Sequence, residues 1–235
     1  MGRRILLCCG ILSSLVYVAM NIFVPMLYEG YDVGSQTVSE LSAIGAPTRP
    51  IWMVLAIIFA LLAVAFGWGV WKFAGQNRPL RIAGIMMMLY VSIGLFWPPM
   101  HQREVLAAGG GTLTDTLHIA FTFVTVPLML LIIGFGAAAF GKWFRLYSIL
   151  TIIVLIAFGI LTGLAAPRME QNLPTPWMGV WERISIGAYM VWQLVFAVIL
   201  LRDATKSSIN ILYKKERSGE KRLFNKQDSK VKETV

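Results

Sequence analysis

Apolar residues in this chain do not alternate with polar ones. They run together in long blocks separated by short polar stretches. Six blocks approach the length a helix needs to cross a bilayer: Ile5 to Leu27, Ile51 to Trp71, Ile82 to Trp97, Leu117 to Phe140, Leu146 to Ala166 and Ile184 to Leu201. A helix rises about 1.5 Å per residue, so about 20 apolar residues match a hydrocarbon core of about 30 Å. A transmembrane β-barrel would need strands with alternating faces, which these blocks lack. The pattern predicts an all-α integral membrane protein, a bundle of six transmembrane helices. The first block follows Arg3-Arg4 and outruns the ~7–15-residue core of a cleaved signal peptide. No small-x-small site follows it, so it reads as an uncleaved signal anchor.

The polar stretches carry the turn and cap signals. In the first, Thr37 with Glu40 fits a capping box, Val38, Leu41 and Ile44 share one helical face, and Gly45 is a natural stop. This predicts a short helix lying on the outer face of the bundle. The second stretch runs from Trp97-Pro98-Pro99-Met100-His101-Gln102-Arg103 through Gly109-Gly110-Gly111 to Thr114-Asp115-Thr116-Leu117-His118. The third ends in Gly179-Val180-Trp181-Glu182-Arg183, at the start of the last block. Beyond Arg202 the chain is polar and of mixed charge, so residues 203–235 are expected to form a cytoplasmic basic tail without fixed structure, apart from a six-span domain over residues 1–202.

Composition fits the membrane assignment: 57% of the residues are hydrophobic and 14% charged, too little charge to cover a soluble domain. The net charge of +9 would suit a nucleic-acid partner, but its distribution argues against one. No basic segment interleaves aromatics with base-reading side chains. With the N-terminus inside, the outer stretches hold only Arg49, Arg103, Arg168 and Arg183 of the 21 basic residues, against seven of the 12 acidic ones. Positive loops stay in the cytoplasm. Both termini are therefore placed in the cytoplasm of a multi-pass protein of the cell (inner) membrane. Trp52, Trp71, Trp97, Trp143, Trp177 and Trp181 fall at the expected interfaces, and Gly159 with Gly163 offers a small-xxx-small step for close helix contact.

Candidate chemistry gathers on the outer side. Glu40 is either a capping residue or a site carboxylate. Both histidines lie near Asp115, and the trio His101, Asp115 and His118 could hold a divalent metal such as zinc or work as an acid–base pair. The alternative has Asp115 capping the fourth span with His118 bonded to it. Glu182 and Arg183 sit where an acid and a base can pair with other loops, Arg183 with Glu40 or Asp115. The spans hold few polar groups, chiefly Asn21 and Gln193, which counts against a coupled ion transporter. Two readings follow. One is a membrane protein that binds membrane lipids, or a lipid or protein partner, at its outer mouth through Glu40, Glu182 and Arg183. The other is a membrane-embedded, metal-dependent hydrolase acting on a lipid of the outer leaflet.

The segments Ser39-Glu40-Leu41 with Gly45-Ala46-Pro47, Pro99-Met100-His101-Gln102-Arg103, Thr114-Asp115-Thr116-Leu117-His118 and Gly179-Val180-Trp181-Glu182-Arg183-Ile184 resemble the bacterial and archaeal membrane family called domain of unknown function 998. The resemblance covers Ile5 to Arg202. It implies a six-span fold in a bacterial inner membrane and no particular reaction. Many members carry phenylalanine-proline-aspartate after the third span. This chain has Trp97-Pro98-Pro99 there, so no aspartate role transfers to that place.

Overall fold

The computed structural model describes the backbone of residues 2–171 and 173–232, and side chains as far as Lys206. Among the described residues there are seven α-helices and no strand: α1 (Gly2–Phe23), α2 (Arg49–Ala74), α3 (Arg78–Gly94), α4 (Arg103–Ala107), α5 (Leu113–Ala138), α6 (Lys142–Glu170) and α7 (Met178–Lys232). Five are long and apolar enough to cross a membrane: α1 with the turn that follows it to Leu27, α2, α5, α6 and α7 as far as Lys206. The expected third span is shorter than its apolar block. It ends at Gly94, giving 17 residues, or about 26 Å of helix. Leu95 to Trp97 leave it through a tight turn ahead of Pro98-Pro99, which cannot continue a helix.

The helix ends follow local chemistry. α1 stops at Phe23 because Pro25 has no amide hydrogen to donate back, and the chain tightens into a 3-10 turn over Pro25–Leu27. The Asn77 side chain caps α3 by accepting from the Leu80 amide at 3.1 Å. At the C-terminus the last helix continues past its apolar block. The backbone of α7 runs on as helix to Lys232, where the polar composition predicted no fixed structure. A helix already nucleated in the bundle needs no new nucleus, and Lys, Glu, Arg and Leu extend it readily. Residues 233–235 of the expected tail lie outside the described residues.

Around the bundle α6 packs on α7, α7 on α1, α1 on α2, α2 on α3 and α3 on α5. A centre of stacked rings joins these layers: Trp192 lies 4.8 Å from Phe196 and 5.8 Å from Phe144. The Trp192 indole donates to the Ser148 hydroxyl at 2.9 Å, which satisfies its one polar atom in the core. Close backbone approach occurs between α2 and α3, where a Cβ on Gly84 would stand 2.7 Å from the Trp71 nitrogen. Gly159 and Gly163 do not share this role. Gly163 has nothing within 4 Å of its Cβ position, and Gly159 meets only the Ser185 hydroxyl at 3.6 Å. The connections after α1, α3 and α6 come together at one end of the bundle, and the α2–α3 turn at Gly75 lies at the other.

Candidate functional site

The three connections form one polar cap. A 3-10 turn over Val38–Ser42 occupies the place where the sequence predicts a short helix. The expected capping box is only half formed. Thr37 makes no side-chain cap, while the Glu40 carboxylate, facing inward, still interacts with the Thr37 backbone amide. That carboxylate is 2% exposed and receives the forked guanidinium of Arg103, with Nη2 at 2.8 and 2.9 Å and Nε at 3.0 Å. Such bidentate charge-assisted bonds are the strongest a side-chain pair makes. Arg103 opens α4 and reaches further, donating to the Ser35 carbonyl at 2.9 Å and the Thr175 hydroxyl at 3.2 Å. One guanidinium thereby joins all three connections. Burial pushes the Glu40 carboxyl above its usual range despite the lowering influence of Arg103.

Arg183 does not meet Glu40 or Asp115, as the charges alone suggested. Its Nη1 donates to the carbonyls of Val33 at 3.0 Å, Gln36 at 2.9 Å and Gly179 at 3.0 Å, and its Nη2 to the Tyr31 hydroxyl at 2.6 Å. Two of these carbonyls, those of Val33 and Gln36, belong to a compact loop that Asp32 folds by accepting the amides of Gly34 and Ser35. The loop lies directly against the first turn of α7. Gly34 accepts from the amides of Gly179 at 3.0 Å and Val180 at 3.3 Å, and a Cβ on Gly179 would collide with the carbonyl oxygens of Val33 and Gln36. Glu182 accepts the Val38 amide at the start of the 3-10 turn. Glu182 and Arg183 thus both hold the first connection, while Glu40, which belongs to it, pairs with Arg103 of the second.

The trio His101, Asp115 and His118 is divided. Asp115 caps α5 as expected, closing a capping box with Thr112. It also accepts from the His101 amide at 2.6 Å and lies 2.9 Å from His101 Nδ1, which staples both ends of the second connection. The neighbouring backbone is held too, since the Ile44 amide donates to the Met100 carbonyl at 2.8 Å. His118 is not bonded to Asp115. Its Nδ1 is 2.8 Å from the Pro98 carbonyl and its Nε2 is 3.1 Å from the Ser39 hydroxyl. Among the described residues no three His, Cys, Asp or Glu are grouped to hold a metal ion.

Sequence reasoning passed over Arg103, Ser39, Tyr31 and Thr175 as site residues. The only signal for Arg103 was its being the one base of the second connection, opposite a buried acid in the first. Beside the cap, a cavity of about 370 Å³ opens between the end of α6 and the start of α7. It is lined by Leu161, Leu164 and Arg168 of α6 and by Thr175, Trp177 and Trp181. Arg168 Nε donates to the Pro174 carbonyl at 2.9 Å, which holds the guanidinium at the polar end of this slot.

The chain belongs to the family described as protein of unknown function (DUF998), whose pattern matches residues 11–199. Nothing among curated proteins or solved structures is similar enough to the chain to match it.

Proposed function

Starting from that membership, we propose that the chain is a six-span protein of the cell membrane, both termini cytoplasmic, whose extracytoplasmic mouth binds a membrane lipid. The single observation that carries the lipid reading is the slot between α6 and α7. Its volume lies within the range of small-molecule sites, roughly 300–1,000 Å³. Its chemistry is graded: Leu161 and Leu164 offer an apolar floor, Trp177 and Trp181 flank it, and Arg168 stands at the polar end. That order matches a phospholipid with an anionic headgroup, acyl chain below and phosphate above. The six-span topology is supported by the three connections meeting at one end. α3 must return the chain to that end, its helical length being completed by the turn over Leu95 to Trp97.

The metal-dependent hydrolase reading draws no support from the trio, because His101 and Asp115 are engaged with each other while His118 turns to Ser39. The lipid reading is tested by native mass spectrometry of the protein in mild detergent with added phosphatidylglycerol and phosphatidylcholine. Retention of the anionic lipid, reduced at least about tenfold in Arg168→Ala, is expected, since a charge-assisted hydrogen bond is worth about 1.5–3 kcal/mol. Equal retention of both lipids by both proteins would refute it.

A further inference from the structure

The division of the trio leaves His118 with a different set of partners, and these define its protonation. The Pro98 carbonyl can only accept a hydrogen bond, so at 2.8 Å the proton of a neutral imidazole sits on Nδ1. Nε2 is then a bare acceptor. The group 3.1 Å from it is the hydroxyl of Ser39. The Trp97 indole does not contest this assignment. Its nitrogen lies near both ring nitrogens, but the two ring planes stand at 81°, so its N–H points at the imidazole face.

We propose that Ser39 is a nucleophile and His118 its general base, with the Pro98 carbonyl orienting the imidazole. The three parts come from the first connection, the second connection and the start of α5, and the fold brings them together at the mouth of the bundle. Both side chains are partly exposed, so a substrate has access to them. The arrangement satisfies the geometric rule for an activated hydroxyl: nucleophile and base within hydrogen-bond reach, and the base held by a third group. The Glu182 carboxylate also interacts with the Ser39 side chain. The hydroxyl therefore has two acceptors for one proton. When it turns to Nε2, the nearby carboxylate stabilises the imidazolium that forms.

The substrate class is a carboxylic ester on an amphipathic molecule, such as a lipid acyl ester. The aromatic pair Trp97 and Phe121, with ring centres 6.1 Å apart, stands beside the imidazole and suits an apolar chain. In the reaction the Ser39 Oγ bonds to the acyl carbon while its proton passes to His118 Nε2. The ester C–O bond breaks, and that proton leaves with the alcohol. Water then attacks the acyl-serine, giving its proton to Nε2, and Ser39 recovers a proton as the carboxylic acid departs. This activity goes beyond lipid binding in the α6–α7 slot and does not depend on it.

The test uses the full chain purified in detergent and a small water-soluble fluorophosphonate, whose P–F bond breaks as a serine Oγ–P bond forms. Peptide mass mapping should place the adduct on Ser39 in the wild type. Labelling should vanish in Ser39→Ala and slow about a hundredfold in His118→Gln, the contribution of a positioned general base. It should persist in Ser42→Ala, a serine of the same turn, and in Arg168→Ala, whatever that change does to lipid retention. Should either site variant prove aggregated by size exclusion, mapping of the wild-type adduct and its slowing below the His118 titration carry the decision. Two results would overturn the proposal. One is an unmodified Ser39 in monodisperse wild type while a soluble serine hydrolase in the same tube is fully labelled. The other is an equal rate in folded His118→Gln.

Discussion

Replacing Arg103 by Met removes the guanidinium but keeps much of its apolar stem, and it leaves the Glu40 carboxylate buried without its partner. The side chain of Glu40 is 2% exposed and that of Arg103 22%. Breaking a buried pair from one side costs about 3–5 kcal/mol. Water can partly replace a guanidinium that is itself partly exposed, so the lower end, about 3 kcal/mol, is expected. Some of that loss comes from the bonds to Ser35 and Thr175, although Thr175 still donates to the Ser35 carbonyl at 3.0 Å. A double-mutant cycle with Glu40→Gln isolates the pair, with a coupling of about 2 kcal/mol. Unfolding in mixed detergent micelles, followed by tryptophan fluorescence, supplies the four stabilities. The pH dependence gives a second check. Burial raises the Glu40 carboxyl above 4.5, so the native state holds that proton more tightly than the unfolded chain. Its contribution is complete below 4.5 and is lost as pH rises through the raised value. Without Arg103 the carboxylate form is disfavoured further, so the cost of Arg103→Met should be larger at pH 8 than below 4.5. Strict additivity of the two single substitutions, or a cost independent of pH, would refute the assignment of Arg103 as the clasp of the cap.

Further tests reach other parts of the molecule. Gly179→Ala should destabilise by about 1–3 kcal/mol, because its methyl group meets rigid carbonyl oxygens of Val33 and Gln36; an unchanged unfolding midpoint would contradict the close approach. With Cys8 and Cys9 changed to Ser, cysteines at Val33, Gly111 and Leu173 should react with an impermeant thiol reagent on intact cells. Labelling at Gln76 instead would reverse the orientation. Truncation after Lys206 should leave a monodisperse bundle, since the last apolar block ends at Leu201 and the sequence beyond Arg202 is polar and of mixed charge; loss of soluble protein in detergent would show that the tail contributes to folding.

The apolar blocks by themselves determined that this is a helical membrane protein. A chain in hydrocarbon must satisfy every backbone amide and carbonyl within its own helix, so long uncharged runs have one outcome. Local chemistry was legible in part: the Asp115 cap depends on residues a few positions apart, whereas the apolar block runs on through Pro25 to Leu27 and the α-helix stops at Phe23. Where α3 ends was less so, because hydropathy continues through Leu95-Phe96-Trp97 while the backbone has already turned. The site was beyond reach of the sequence for a physical reason. Glu40 and Arg103, Ser39 and His118, and Val33 and Arg183 are 63, 79 and 150 positions apart, and no periodicity links residues in different loops. Charge said that acids and bases at the mouth would pair. Only the tertiary packing, which brings the first connection down onto α7 and α4 beneath it, decided that Arg103 takes Glu40, Arg183 takes backbone carbonyls, and His118 faces a serine.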